Sequence, residues 1–171
     1  MSQHSLIPAT PDDISLAATL IARTYMDLGA KMIEITGKLR TLPYMQDENG
    51  VLVADENKEA IGYALYTPVK VGNTENAAVL LAPFAYDTAR AGVDATNVLQ
   101  ETLAYPKQKG YRYVLMHGEE ETYQALGFQD ADDLAITSQV SYPNTILLVK
   151  DLDAGVPASL SGEVEYPPFV F

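Results

Sequence analysis

Apolar residues run along this chain in stretches that switch between helical and strand spacing. "HSLIPATPDD" reads as a short strand passing into a helix. Thr10 can serve as N-cap, Pro11 takes the first helical position, and Asp12 and Asp13 suit the positive helix end. Ile14, Ala17, Ala18, Ile21 and Tyr25 then recur at helical spacing. Gly29 ends or interrupts that helix, and "AKMIEITGKLRTL" predicts a second, shorter one closed by Pro43. After the turn "DENG", the run "VLVADENKEAIGYALYTPVKV" predicts a hairpin with strands at about Val51–Ala54 and Ala60–Val69. The turn "VGNTEN" leads into "AAVLLAPFAY", whose length and lack of alternation predict a strand covered on both faces.

Asp94 to Lys109 predicts a helix with Val98, Leu99, Leu103 and Ala104 as its apolar stripe, ended by Gly110 and kinked or shortened by Pro106. "YRYVLMHG" predicts another buried strand, and "EEETYQALGF" a short helix closed by a glycine. "AITSQVSY" and "TILLVKDL" predict a last antiparallel pair around Pro143 and Asn144. The resulting order, β-α-α-β-β-β-α-β-α-β-β, predicts an α/β (α+β) fold: a mixed central sheet with helices on its faces. Neither a linker nor a repeat interrupts it, so 1–171 reads as one domain. Residues 153–171 form a tail rich in proline and aromatics, which packs on that domain or on a partner subunit in a homodimer.

Composition narrows the function classes. The 171 residues are 47% hydrophobic and 20% charged, enough for a packed core. A net charge of -12 argues against nucleic acid and against an anionic membrane as partners, and favours cationic ligands; it also simply aids solubility. With no cysteine there is no disulfide framework, thiolate metal site or cysteine nucleophile. The two histidines, His4 and His117, are too far apart in sequence to suggest a metal site. The N-terminal stretch lacks signal-peptide features, and no apolar run approaches the ~20 residues that span a bilayer, so the expectation is a soluble, cytoplasmic protein.

The candidate chemistry begins at "YDTARAGVDATNVL", where a predicted strand meets a predicted helix. Such junctions can hold phosphate on bare backbone N–H groups. Here there is a single glycine, Gly92, and an acid, Asp94, at the helix start. Asp94 reads equally as an ordinary N-cap, and Arg90 as a solvated loop residue.

Three motifs in order carry a family resemblance: "LAPFAY" (Leu81 to Tyr86), "TYQALGF" (Thr122 to Phe128) and "GEVEYPPF" (Gly162 to Phe169). In that order the chain resembles small bacterial members of the GNAT superfamily of acetyl-CoA-dependent N-acetyltransferases. The resemblance spans most of the chain and is weakest in the first helical third. It implies a mixed, mostly antiparallel sheet with helices on both faces, acetyl-CoA as acyl donor, and direct transfer to a small-molecule or peptide amine, for which the acidic surface suits a cationic one.

The resemblance implies that Phe84, Ala85 and Tyr86 offer backbone groups to the pantetheine arm, one N–H polarising the acetyl carbonyl. It also implies that Arg90, Ala91, Gly92, Val93 and Ala95 hold the pyrophosphate. The family's pattern there, Q/R-x-x-G-x-G/A, is imperfectly kept. With Arg90 in the first place, Val93 replaces the central glycine and Ala95 takes the last position; in the alternative register Gly92 fits a glycine and Asp94 replaces the central one. Tyr123, four residues before Gly127, matches a tyrosine that protonates the leaving thiolate. It also reads as a helix residue whose ring meets Phe128 across a glycine cap. No general base stands out: Glu34, Glu75 and Asp87 read as surface acids, and His117 as a hydrogen-bonded strand-end residue. A second function class stays open, a non-catalytic binding or regulatory module of the same fold with a decayed CoA site.

Overall fold

The computed structural model describes residues 4–45, 49–156 and 159–167. Phe169 and Phe171 of the tail, and Asp47 and Glu48 of the expected "DENG" turn, lie outside them. The chain divides into two compact units, one of residues 1–67 and 82–105, the other of 68–81 and 106–171. The long strands β3 (Ala60–Val71) and β4 (Thr74–Tyr86) each contribute a segment to both.

In the first unit, β1 (Ser5–Pro8) runs antiparallel to β2 (Gly50–Ala54), and β2 to β3, with Leu52 opposite Tyr63. Every residue of β2 is buried, so this strand is covered on both faces. Helix α1 (Ile14–Tyr25) buries Ala17, Leu20 and Ile21, while Ile14 of the expected stripe is 52% exposed. The helical run is interrupted next to Gly29, one of the two expected outcomes. A 3-10 turn, Met26–Leu28, joins α1 to α2 (Gly29–Arg40), and Gly29 is the first residue of α2. A Cβ on Gly29 would lie 3.0 Å from the Ala22 Cα, so the glycine lets the two helices approach. On β3, a Cβ at Gly62 would meet Val98 of α3 (Ala95–Thr102), whereas the adjacent Tyr63 ring faces the Arg40 guanidinium of α2. Successive side chains on a strand point to opposite faces, so α2 and α3 cover opposite faces of β3.

The expected helix 94–109 is divided. α3 ends at Thr102 and α4 (Ala104–Gln108) follows. Pro106 has no N–H for the Thr102 carbonyl, which explains the break one turn before the proline. The buried Thr102 hydroxyl instead donates to the Leu99 carbonyl at 2.8 Å and lies 2.6 Å from the Tyr66 hydroxyl.

In the second unit, β4 pairs in parallel with β5 (Tyr113–Gly118) from Ala78–Tyr113 to Leu80–Leu115. β8 (Ile146–Asp151) lies antiparallel between β5 and β6 (Phe128–Asp130). β7 (Ile136–Thr137) pairs in parallel with β9 (Gly162–Glu165), which also pairs with the end of β3. The expected β7–β8 pair is therefore not formed. The Gly127 turn lays β6 along β8, whose other edge β5 already holds. The β3–β4 turn is tighter than expected, because β4 begins at Thr74. Gly72 (φ 57°) and Gly162 (φ 116°) meet there, and a Cβ on Gly162 would lie 2.6 Å from the Gly72 Cα. Side chains would collide at that approach. The sheet is thus mixed, as the element order predicts, and mostly antiparallel, as the family resemblance implies.

Candidate functional site

In the first unit the chemistry is built on the end of β4. Pro83 has no N–H, and Phe84 and Ala85 are buried. The Phe84 and Tyr86 rings lie on one face, 6.2 Å apart and nearly parallel. The Asp87 N–H donates to the Ile61 carbonyl of β3 at 2.9 Å. Backbone donors alternate between the two edges of a strand, so the Phe84 and Tyr86 N–H groups face away from β3. Both are met by side chains of the last turn of α1. The Phe84 N–H donates to the Tyr25 hydroxyl at 3.3 Å, and the Tyr86 N–H donates to the Thr24 Oγ1 at 3.0 Å. Thr24 Oγ1 also lies 3.1 Å from the Tyr86 carbonyl and 2.9 Å from the Leu20 carbonyl. Helical spacing puts Tyr25 on the apolar stripe of α1 and gives no signal at Thr24. Their place at the end of the first helix, in the part of the chain where the resemblance is weakest, hid them.

The turn after β4 is organised by charge. The Asp87 carboxylate accepts from Arg23 at 3.0 Å and from the Ala89 N–H at 3.1 Å. Arg90 is not a solvated loop arginine. It forms an ion pair with Asp55 and a longer one, at 3.4 Å, with Glu59. Asp55 also accepts the N–H groups of Glu59 at 2.8 Å and Asn57 at 2.9 Å. The Glu59 N–H above all, aided by Arg90 and opposed by desolvation, holds the Asp55 carboxyl below its usual range. Ala91 and Gly92 are exposed, Gly92 has φ 83°, and a Cβ there would meet nothing within 4 Å. The Val93 N–H donates to the Arg90 carbonyl at 3.3 Å, closing the turn.

Ala95 opens α3, and Asp94 caps it, accepting from the Thr96 N–H at 2.8 Å and the Thr96 hydroxyl at 2.6 Å. The Thr96 hydroxyl and N–H push the Asp94 carboxyl pKa down. One amide at the start of α3 is thus already engaged by a carboxylate, and the arginine of the turn already holds two more.

In the second unit, Tyr123 ends α5 (Glu120–Tyr123) and is followed by a 3-10 turn, Gln124–Leu126. Gly127 caps that turn in the left-handed conformation at φ 92°, as its position in "QALGF" predicts. The Tyr123 ring meets Phe128 edge-on, with centroids 6.3 Å apart. It also covers Gly118, where a Cβ would lie 2.9 Å from the ring carbon Cε2. Next to Gly118, the His117 Nε2 lies 3.0 Å from the Tyr166 hydroxyl, which lies 2.6 Å from Ser138 Oγ. Ser138 donates its own hydrogen to the Val140 carbonyl at 2.8 Å. Burial pushes the His117 pKa down to about 4, so the ring is neutral at pH 7. Glu119, Glu120 and Glu121 are exposed at the start of α5. Among the described residues no group of three His, Cys, Asp or Glu side chains could hold a metal ion, and no helix is long and apolar enough to cross a membrane.

This architecture is the GNAT fold. It is similar to the crystal structure of a GNAT family N-acetyltransferase from Escherichia coli in complex with CoA. That likeness has a TM-score of 0.75 and 24% identity, and covers 98% of this chain and 91% of that one. It is also similar to a GNAT family acetyltransferase from Brucella melitensis in complex with acetyl-CoA, with a TM-score of 0.69 and 19% identity over 98% of this chain and 97% of that one. No protein-family model matches the sequence, and no curated protein matches it. At these identities the likeness establishes the fold; function has to be argued from the site.

Proposed function

We propose that the protein is an acetyl-CoA-dependent N-acetyltransferase that acts on an amine by direct transfer, residues 1–171 working as one GNAT-like domain in the cytoplasm. The observation that carries this reading is the end of β4. Its Phe84 and Tyr86 amides point away from β3 and are met by hydroxyl groups of α1. Such amides can serve an extended ligand carrying amides and a carbonyl. The acetyl-CoA complexes of proteins with this fold support the same assignment.

The thioester supplies an activated acetyl group. The turn Arg90–Ala95 would hold the diphosphate, with Arg90, Ala91, Gly92, Val93 and Ala95 contributing. The pantetheine arm would run back along β4, past Tyr86 and Ala85, so that the acetyl carbonyl reaches the Phe84 N–H, which stabilises the oxyanion. Tyr123, with a reference pKa of ~10 against ~8.5 for a thiol, would protonate the leaving thiolate. The incoming amine would attack as the free base after giving its extra proton to water, and the proton that its nitrogen sheds on acylation would return through water to the Tyr123 phenolate; the net charge of -12 favours an acceptor that is cationic in solution.

One observation favours a second reading, a non-catalytic binding or regulatory module with a decayed CoA site. Arg90 is committed to Asp55 and Glu59, and Asp94 engages the start of α3. Thermal unfolding with acetyl-CoA separates the two. A hundredfold excess over Kd should stabilise the fold by ~2.7 kcal/mol. Asp94→Gly should tighten binding by removing a carboxylate from the diphosphate site. With binding in hand, a panel of primary amines, polyamines and peptides is scored by free-thiol release. No stabilisation at millimolar acetyl-CoA rejects the enzyme and leaves the module.

A further inference from the structure

The two amides on which the acyl-transfer reading depends are occupied by the protein itself. The Tyr86 N–H donates to Thr24 Oγ1 at 3.0 Å, and the same hydroxyl lies 3.1 Å from the Tyr86 carbonyl. Thr24 thus meets both backbone groups of one β4 residue, as a neighbouring strand or a secondary amide would. The Tyr25 hydroxyl accepts the Phe84 N–H at 3.3 Å. Consecutive residues on one helix turn therefore cover two amides that are two residues apart on one strand edge.

The helix end that carries them is a break between two helices, where α1 stops and the turn Met26–Leu28 begins. Met26, directly after Tyr25, has φ 50° and ψ -112°, a combination that a side-chain-bearing residue adopts only under constraint. Its side chain is 78% exposed, while its N–H donates to the Ala22 carbonyl and its carbonyl accepts from the Gly29 N–H. Thr24 and Tyr25 are themselves only half-buried.

We propose that Thr24 and Tyr25 are built-in occupants of the acyl-arm site: their hydroxyls hold the Tyr86 and Phe84 amides until the pantetheine amide and the thioester carbonyl displace them. This rests on the acetyltransferase reading and adds residues it does not contain. The order along the strand separates their roles. The diphosphate turn follows Tyr86, so Thr24 stands in for the arm and Tyr25, at Phe84, for the acyl carbonyl. Each hydroxyl must be expelled before the ligand bonds form, which weakens affinity for the ligand. It also keeps two amides of an open strand edge satisfied when no ligand is bound.

The test is calorimetric titration of wild type, Thr24→Val, Tyr25→Phe and Thr24→Ser with acetyl-CoA and with CoA. A net hydrogen bond corresponds to a factor of about two to ten in an equilibrium constant. Tyr25→Phe should tighten acetyl-CoA by about that factor and leave CoA, which lacks the carbonyl, unchanged. Thr24→Val should tighten both, and Thr24→Ser, which keeps the hydroxyl, neither. Amide exchange provides a readout without ligand: Phe84 should lose protection in Tyr25→Phe, and Tyr86 in Thr24→Val. In wild type, the Tyr25 ring resonances should shift when acetyl-CoA is added. Unchanged or weaker binding in the variants, or an unmoved Tyr25, overturns the occupancy while acetyl-CoA binding by wild type keeps the enzyme reading. Absence of binding in every protein overturns both.

Discussion

His117 gives a prediction whose size follows from the structure. Its ring lies at the end of β5, bonded through Nε2 to Tyr166 and edge-on to Tyr142 at 5.0 Å. Burial lowers its pKa from the ordinary 6.5 to about 4. The folded state therefore binds the proton more weakly than the unfolded chain. As pH falls below 6.5 the unfolded chain takes up a proton that the folded protein refuses, and stability drops until the folded ring also titrates near 4. This contribution is whole above pH 6.5 and lost by pH 4. Taken at face value, the shift amounts to about 2.5 kcal/mol between pH 7.5 and 4.5; solvent screening at a half-buried ring brings that to roughly 1–2 kcal/mol. His117→Gln keeps a hydrogen-bonding group for Tyr166 and cannot titrate. Urea unfolding of both proteins at the two pH values isolates the effect, because carboxylates shared by both cancel in the difference. Wild type should lose roughly 1–2 kcal/mol more than the variant. Equal losses, or a folded His117 ring resonance that titrates near 6.5, would refute the argument.

Two further outcomes follow. Gly62→Ala would place a Cβ 2.3 Å from Val98 Cγ1. It should destabilise by about 1–3 kcal/mol through overpacking, and Val98→Ala in the same chain should recover part of that loss. Simple additivity in chemical denaturation would show that the two residues do not meet. Tyr123→Phe should lower turnover by about a hundredfold or more with acetyl-CoA affinity nearly unchanged; an unchanged rate in the thiol-release assay would remove Tyr123 from the mechanism.

The commitment of Arg90 bears on how any diphosphate is held. An arginine alone in a loop would be free to turn toward phosphate, but here Asp55 holds it, and Asp55 is held in turn by the Asn57 and Glu59 amides of the β2–β3 turn. Diphosphate binding must either share this arginine with a carboxylate or rely on the amides of Ala91, Gly92 and Val93. Because the competition is electrostatic, added salt should weaken both sides of it.

Features that depend on neighbours a few residues away are legible in the order of residues alone. Periodicity placed the strands of the hairpin and the buried runs of β4 and β5, and cap chemistry placed the start of α3 at Asp94 and the left-handed turn at Gly127. Both signals act within one or two turns of chain, so they survive in one dimension. Pro106 also announced a break, although only the structure located it after Thr102. Folding in three dimensions then assigns partners to groups that must be satisfied but do not specify by what. Only the fold put Asp55 beside Arg90, Thr24 and Tyr25 against the open edge of β4, β8 between β5 and β6, and Tyr166 on His117. A charge, a strand edge or a buried amide has to find a partner, and the order in which the chain folds back on itself chooses which one.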